Sequence, residues 1–228
     1  MDGEKISTGS QILDNFLEGG YENDAITTLY GPSGSGKTNL AVIAAVSVAS
    51  KGKKVIYIDT EGGFSVTRLK QMTKDYKKIL GNILFLQPTT FEEQKKDFEK
   101  LKDIVNDKIG LIIIDTIAML YRLVRVQDVQ EVNRELGIQI GYLTEIARKK
   151  KIPVLVTNQV YTSFELRDKV NMVGGDLLKY GSKCLIELQA GHTGKRRAIL
   201  RKHRSIAGEK ETWFRITNKG LTSLTENN

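Results

Sequence analysis

The sequence predicts a three-layer α/β domain with a mostly parallel sheet that antiparallel hairpins extend near its end. Short apolar runs alternate with helical stretches through most of the chain, and closely spaced strands follow after about Gly181. Alternating strands and helices are typical of a parallel sheet covered by helices, whereas strands without intervening helices are typical of hairpins. We expect one domain over residues 1–228, with a leading segment at 1–24 and the hairpin extension at about 181–228.

Each element of this order follows from a local pattern of apolar residues. Runs rich in Val, Ile, Leu and Tyr predict strands at Ala25–Tyr30, Lys54–Asp59, Ile83–Leu86, Leu111–Asp115, Pro153–Asn158, Lys183–Gln189, Arg197–Lys202 and Glu211–Thr217. Helical spacing predicts helices at Asn39–Ser50, at Ser65–Leu80, after the capping-box pair Thr90 and Glu93, and at Asp128–Lys150. Leu111–Asp115 is apolar until its last residue, which is typical of a central parallel strand.

Composition excludes several classes of protein. Of 228 residues, 40% are hydrophobic and 27% are charged, which is ordinary for a globular chain and unlike a disordered one. One cysteine, Cys184, excludes an intramolecular disulfide framework and a Cys-rich zinc site. Without a long apolar run or a signal-peptide pattern at the polar N-terminus, we expect a cytoplasmic protein with no membrane partner.

The net charge of +8 belongs to the second half of the chain. Residues 1–115 contain 15 basic and 16 acidic side chains, a net charge of −1, and residues 116–228 contain 20 and 11, a net charge of +9. The densest stretch is Lys195–Arg204, where six of ten residues are Lys or Arg. This density permits DNA binding, and a solvated strand face is the alternative explanation.

The strongest motif is a phosphate-binding loop that a predicted strand precedes and a predicted helix follows. It matches G-x-x-x-x-G-K-[ST] and consists of Gly31, Pro32, Ser33, Gly34, Ser35, Gly36, Lys37 and Thr38. Its glycines allow a tight backbone whose N–H groups face phosphate oxygens, and the helix start adds positive potential. We expect Lys37 to neutralise the β- and γ-phosphates of ATP and Thr38 to bind Mg²⁺.

Three polar residues at predicted strand ends complete the nucleotide site. Asp115 ends an apolar strand and is expected to reach Mg²⁺ through a water molecule. Glu61 follows the second strand and is the candidate base that activates water, with a solvated loop carboxylate as the alternative. Gln159 follows Thr157 and Asn158 and is the candidate sensor of the γ-phosphate, with simple packing as the alternative.

These motifs together resemble the RecA-type recombinases. The similarity includes Ser7–Asp14 and Gly19-Gly20 before the phosphate loop, and then Asp59–Phe64, Leu111–Asp115, Val156–Val160 and Gly174–Asp176 in the order and spacing of the family. The chain is most similar to the short archaeal paralogues of the main recombinase. This resemblance implies a RecA-like ATPase core, Glu61 as the catalytic acid/base, Gln159 as the γ-phosphate sensor and Arg68 stacking on the adenine.

The resemblance also implies two DNA-binding loops. The first follows the strand that ends at Asp115 and includes Arg122 and Arg125, for which solvation of a helix end is the alternative. The second, Val160–Val173, includes Arg167 and Lys169, and its charge is only weakly positive. We add Lys195, Arg196 and Arg197 from the basic stretch as candidate DNA contacts.

Lys202 and Arg204 match a Lys-x-Arg element that some RecA-like ATPases present to ATP across a subunit interface. Cations supplied in trans stabilise charge on a transferring phosphoryl group. Direct contact with the DNA backbone and a solvated edge strand are the alternatives.

Two departures from the full recombinases shape the expected function. About 24 residues precede the first predicted strand, so we expect the N-terminal helical domain to be absent, and no Phe is followed three positions later by Ala. We therefore expect an ATP- and DNA-binding accessory factor of recombination and repair that works with the main recombinase and hydrolyses ATP slowly. The alternatives are a self-assembling strand-exchange ATPase and a small P-loop kinase of nucleotides or metabolites.

Overall fold

A computed structural model describes residues 4–123, 129–162, 170–172 and 175–224. The strands are β1 (Lys5–Ile6), β2 (Tyr21–Glu22), β3 (Ile26–Gly31), β4 (Lys54–Asp59), β5 (Ile83–Leu86), β6 (Ile109–Asp115), β7 (Val154–Thr162), β8 (Val170–Met172), β9 (Cys184–Ala190), β10 (Lys195–His203), β11 (Lys210–Thr217) and β12 (Gly220–Ser223). The helices are α1 (Gln11–Phe16), α2 (Lys37–Ser50), α3 (Val66–Met72), α4 (Tyr76–Gly81), α5 (Phe91–Ile104), α6 (Met119–Leu123), α7 (Val129–Lys150) and α8 (Gly175–Gly181).

The large sheet has the strand order β12-β11-β10-β9-β3-β7-β6-β4-β5. All pairs from β9 to β5 are parallel, and the pairs β9-β10, β10-β11 and β11-β12 are antiparallel. The predicted mixed sheet is therefore confirmed. One detail differs, because β9, which we expected to begin the antiparallel extension, pairs in parallel with β3 after α8 crosses over.

Helices cover both faces of the parallel part. Successive residues of β4 alternate between two cores: Val55 and Tyr57 pack on the side of α2, whereas Ile56 and Ile58 pack on the side of α5 and α7. Residues of β6 alternate in the same way. Both faces of these strands are thus apolar, as in a central parallel sheet, and the polar residues that follow them are left at the sheet's carboxyl edge.

Two predicted helices show how local chemistry sets element ends. The Thr90 hydroxyl caps α5 by accepting a hydrogen bond from the Glu93 amide at 3.2 Å, as predicted. The predicted helix Ser65–Leu80 is instead two helices, α3 and α4. The chain is extended at Thr73, whose hydroxyl accepts a hydrogen bond from the Asp75 amide, and such local bonds compete with the helix.

Candidate nucleotide-binding site

The phosphate-binding loop connects β3 to α2 at the carboxyl edge of the sheet. Gly34 and Gly36 have φ angles of 73° and 106°, which side chains disfavour. Gly31 has a different constraint, since a Cβ placed there would lie 2.1 Å from the Leu188 carbonyl oxygen. The glycines of the motif therefore allow both the turn of the loop and its close packing against β9.

Lys37 begins α2 and folds back over the loop. Its Nζ donates hydrogen bonds of 2.9 Å to the carbonyl oxygens of Gly31 and Pro32. Burial lowers the pKa of Lys37, and the nearby carboxylates of Glu61 and Asp115 act in the opposite direction. A buried cation is thus held at the place where the motif requires one for phosphate.

Asp115 ends β6 and is almost fully buried. Its carboxylate accepts hydrogen bonds from Thr157 Oγ1 at 2.6 Å, from the Tyr57 hydroxyl at 2.8 Å and from Thr38 Oγ1 at 3.3 Å. Burial raises the pKa of Asp115, and these hydrogen bonds oppose that rise because they stabilise the carboxylate. The arrangement fixes the aspartate beside the threonine that the motif assigns to the metal.

Glu61 and Gln159 meet directly, although 98 positions separate them in the chain. Glu61 Oε1 accepts a hydrogen bond from Gln159 Nε2 at 2.8 Å and another from Thr116 Oγ1 at 2.9 Å. Asp59 holds the loop that contains Glu61, because its carboxylate accepts hydrogen bonds from the amides of Gly63 and Phe64. The candidate base and the candidate sensor thus form one hydrogen-bonded unit.

A cavity of about 290 Å³ joins these groups to the phosphate loop. The residues that line it are Ser33, Gly34, Gly36, Lys37, Thr38, Asn39, Glu61, Gln159, Arg196 and Ile216. The cavity is therefore lined by one carboxylate, two carboxamides and two cations around the glycine turn.

The residues present fit a magnesium nucleotide. Within the part of the chain that the structure describes, no cluster of three or more His, Cys, Asp and Glu side chains could hold a metal by itself. Mg²⁺ at phosphate sites takes few protein ligands and uses phosphate and water oxygens for the rest, and Thr38 with Asp115 offers that donor set. The buried Ser35 hydroxyl has no hydrogen-bond partner among the described residues, which suits a loop that receives a polar ligand.

Other predicted site residues lie away from this cavity. Arg68 is not among the described residues that line it, and its guanidinium donates a hydrogen bond to Gln71 within α3. Lys202 donates to the Lys179 carbonyl oxygen at 2.6 Å, and Arg204 pairs with Glu22 and Asp24. The register of β10 places Lys202 beside Leu185 and His203 beside Cys184, toward the amino end of β3. Neither cation is among the described residues that line the phosphate cavity of its own subunit. Contact with ATP across an interface therefore stays a prediction, with contact to the DNA backbone and a solvated edge strand as the alternatives.

The candidate DNA residues divide into separate groups. Arg122 is exposed at the end of α6 and lies next to Asn158 and Gln159 around a small crevice. Arg125, Arg167 and Lys169 lie outside the described residues. Arg197 is on an outer face of β10, where it pairs with Glu211 and stands over the Trp213 ring at 5.5 Å.

Sequence reasoning did not find several supporting residues. Tyr57, in the predicted strand Lys54–Asp59, orients Asp115, and Thr116, directly after the predicted strand that ends at Asp115, orients Glu61. Their positions at the carboxyl ends of two strands are the signal that could have found them. Arg196, which we expected to contact DNA, lines the cavity of the phosphate loop together with Ile216.

The fold and the site are those of the RecA-like class of P-loop nucleotide-binding proteins. The features that define this class here are the sheet order, the glycine turn, Lys37, Asp115 and the Glu61–Gln159 pair. The model of the Rad51 family matches residues 4–224, nearly the whole described chain. The chain therefore belongs to the Rad51 family.

Similar proteins point to one branch of that family, the RadB group of short archaeal paralogues. A protein of Methanobrevibacter smithii called DNA repair and recombination protein RadB is 41% identical in an alignment 227 positions long, which covers 96% of each chain. The protein of the same name from Methanothermobacter thermautotrophicus is 38% identical over 95% of each chain. A crystal structure of a RadB recombinase superposes with a TM-score of 0.83 at 34% identity, over 96% of this chain and 100% of that one. The expected resemblance to short archaeal paralogues is confirmed.

Proposed function

We propose that the protein is an ATP- and DNA-binding accessory factor of homologous recombination and DNA repair. It acts with the main recombinase, and bound ATP serves as a conformational or assembly ligand that is hydrolysed slowly. The names of its relatives support a function in recombination and repair. The buried Cys184, whose thiol pKa burial raises to about 12, suits the reducing cytoplasm in which we place it.

The observation that carries the proposal is the hydrogen bond between Gln159 and Glu61 inside the phosphate cavity. Gln159 belongs to β7 and directly precedes Val160–Val173, the segment that the family resemblance predicts to be the second DNA loop. A γ-phosphate that draws Gln159 away from Glu61 would move the strand end that leads to this segment. ATP and DNA are thereby coupled through one side chain.

Within this site each group has a distinct task. Lys37 and the loop amides bind the phosphates, and Thr38 with Asp115 holds Mg²⁺, which neutralises phosphate charge when bound. Glu61 accepts a proton from an attacking water, and Gln159 responds to the terminal phosphate.

Slow hydrolysis follows from the placement of the other cations. Lys202 lies near the end of β10 and Arg204 directly follows that strand, and both side chains bond within their own chain. A lone subunit therefore lacks these charges at its phosphates. Rapid hydrolysis would need a neighbouring subunit to supply them.

The coupling is tested by measuring the affinity for single-stranded DNA with Mg-ATP, with Mg-ADP and without nucleotide. We expect ATP to change the DNA affinity of the unaltered protein, whereas Gln159→Ala keeps ATP binding and loses that change. Gln87→Ala, a change at an exposed glutamine outside the cavity, serves as the control. A DNA affinity that ignores ATP in the unaltered protein would contradict the proposal.

A further inference from the structure

The strand β10 brings an arginine to the phosphate loop of its own subunit. We infer that Arg196 is a second cation for the phosphates of the bound nucleotide, acting in cis beside Lys37. This inference rests on the proposed nucleotide site and adds to it a residue that the phosphate-loop motif does not include.

The strands on both sides of β10 pack against the loop. A Cβ at Gly31 would lie 2.1 Å from the carbonyl oxygen of Leu188 in β9, and one at Gly36 would lie 2.7 Å from Cδ1 of Ile216 in β11. Arg196 is in the strand between them and pairs with Ala190 and Phe214. The loop therefore rests across the very strands that flank Arg196.

The face of β10 on which Arg196 lies also follows from its neighbours. Ala198 and Leu200, two and four positions further on, are buried in the core that includes α2. Side chains two apart in a strand share a face, so Arg196 faces the side of the sheet where α2 and the phosphate loop begin. Arg197 is on the opposite face with Glu211.

The guanidinium of Arg196 has donors left for a ligand. Nη1 donates to the Lys195 carbonyl oxygen at 3.0 Å, which holds the group in place. Its Nε is buried and has no hydrogen-bond partner among the described residues. In the salt-bridge contacts of the described residues, Arg196 has no carboxylate, whereas Arg197, Arg201 and Arg204 each have one or two.

These observations favour a phosphate of the nucleotide over a phosphate of DNA. Arg196 shares a cavity with Lys37 and Thr38, which the loop motif assigns to nucleotide phosphates and Mg²⁺. A guanidinium binds phosphate oxygens through charge-assisted hydrogen bonds, often two at once. The basic stretch Lys195–Arg204 is therefore divided, with Arg196 at the nucleotide and Lys195 and Arg197 on the other face.

The test compares Arg196→Ala, Arg196→Lys and Arg215→Ala by competition of ATP, ADP and inorganic tripolyphosphate against a fluorescent ATP analogue. Arg215 is an exposed arginine of β11 on the face away from Arg196, so its removal changes the net charge equally. We expect Arg196→Ala to weaken ATP and tripolyphosphate about tenfold or more, as for other charge-assisted hydrogen bonds. Arg196→Lys should recover part of the loss, and Arg215→Ala should bind like the unaltered protein.

Different outcomes separate this inference from the proposed function. Equal loss in Arg196→Ala and Arg215→Ala, or loss of DNA affinity with unchanged ATP affinity, would overturn the inference and leave the nucleotide site standing. Failure of the unaltered protein to bind ATP would overturn both. Circular dichroism and thermal unfolding without nucleotide verify that each variant is folded, and the tripolyphosphate measurement shows that the loss depends on phosphate and not on the base.

Discussion

Lys37 is buried at the start of α2, and its ammonium group bonds to loop carbonyls. Lys37→Ala removes the central positive charge of the phosphate site, so we expect ATP binding to fall below detection in calorimetry. Lys51→Ala, at an exposed lysine just past the other end of the same helix, is the matched control. Tight ATP binding by Lys37→Ala would show that the loop does not bind phosphate.

Glu61 is positioned by two hydrogen bonds but remains exposed to the cavity. Glu61→Gln keeps the shape of the side chain and removes its capacity to accept a proton. We expect ATP binding to persist while hydrolysis falls by about 10²–10⁴-fold, the usual contribution of general base catalysis. Steady-state phosphate release is the measurement, and Glu92→Gln, at an exposed carboxylate of α5, is the control. Unchanged phosphate release by Glu61→Gln would exclude Glu61 as the base.

The sequence predicted which side chains lie together where a motif specifies them, and their roles stay predictions. Lys37 and Thr38 line one cavity because a strand, a tight turn and a helix start are encoded within a few residues. Asp115, which is 77 positions from Thr38, contacts it because β6 ends at the same carboxyl edge of the sheet. The position of Arg196 at the phosphate cavity could not be predicted from a motif. Ala198, Ile199 and Leu200 are all buried, so the sequence of β10 shows no alternation from which the face of Arg196 could be read.

At the scale of elements, the junction between β3 and the phosphate loop is the most constrained place. Gly31→Ala would push a methyl group into the Leu188 backbone, and we expect it to lower the free energy of unfolding by about 2–3 kcal/mol. Gly81→Ala, at the end of α4 where a Cβ meets nothing within 4 Å, should change it by less than about 0.5 kcal/mol. Urea unfolding gives both values, and equal stability of the two variants would contradict the close packing.

Element types were more predictable than element partners. The strand β4 has the predicted bounds, since its apolar run is strong and polar residues flank it. The parallel pairing of β9 with β3 depends on a crossover through α8, and no local pattern encodes it. The two-residue strands β1 and β2 are too short for a periodic signal and were missed.

At the scale of the whole molecule, we predict that ATP hydrolysis depends on assembly, because Lys202 and Arg204 lie away from the phosphate cavity of their own subunit. We expect Arg204→Ala to lower hydrolysis only at protein concentrations at which subunits associate. Because Arg204 also pairs with Glu22 and Asp24, a mixing experiment separates catalysis from folding. We expect a mixture of Arg204→Ala and Lys37→Ala subunits to recover hydrolysis, because Lys37→Ala subunits bind no ATP but present an intact Arg204. An equal loss of hydrolysis in dilute Arg204→Ala monomers, with no recovery on mixing, would refute action in trans.

The basic side chains of the second half of the chain lie in several different environments. The second half has a net charge of +9, yet Arg197, Arg201 and Arg204 are paired with carboxylates and Arg196 faces the nucleotide cavity. Charge alone therefore overstates the surface left for DNA.

Among the described residues, no helix has both the length and the apolar character to cross a membrane.

We propose that ATP in the phosphate loop controls the assembly of the protein with DNA. The most direct measurement is the mass of the particle by light scattering, with and without Mg-ATP and single-stranded DNA, at increasing salt. We expect a protein–DNA complex whose amount depends on ATP, is absent for Lys37→Ala and falls steeply with salt, because phosphate contacts release counterions. A particle mass that is the same with and without ATP and DNA, or a complex indifferent to salt, would contradict the account.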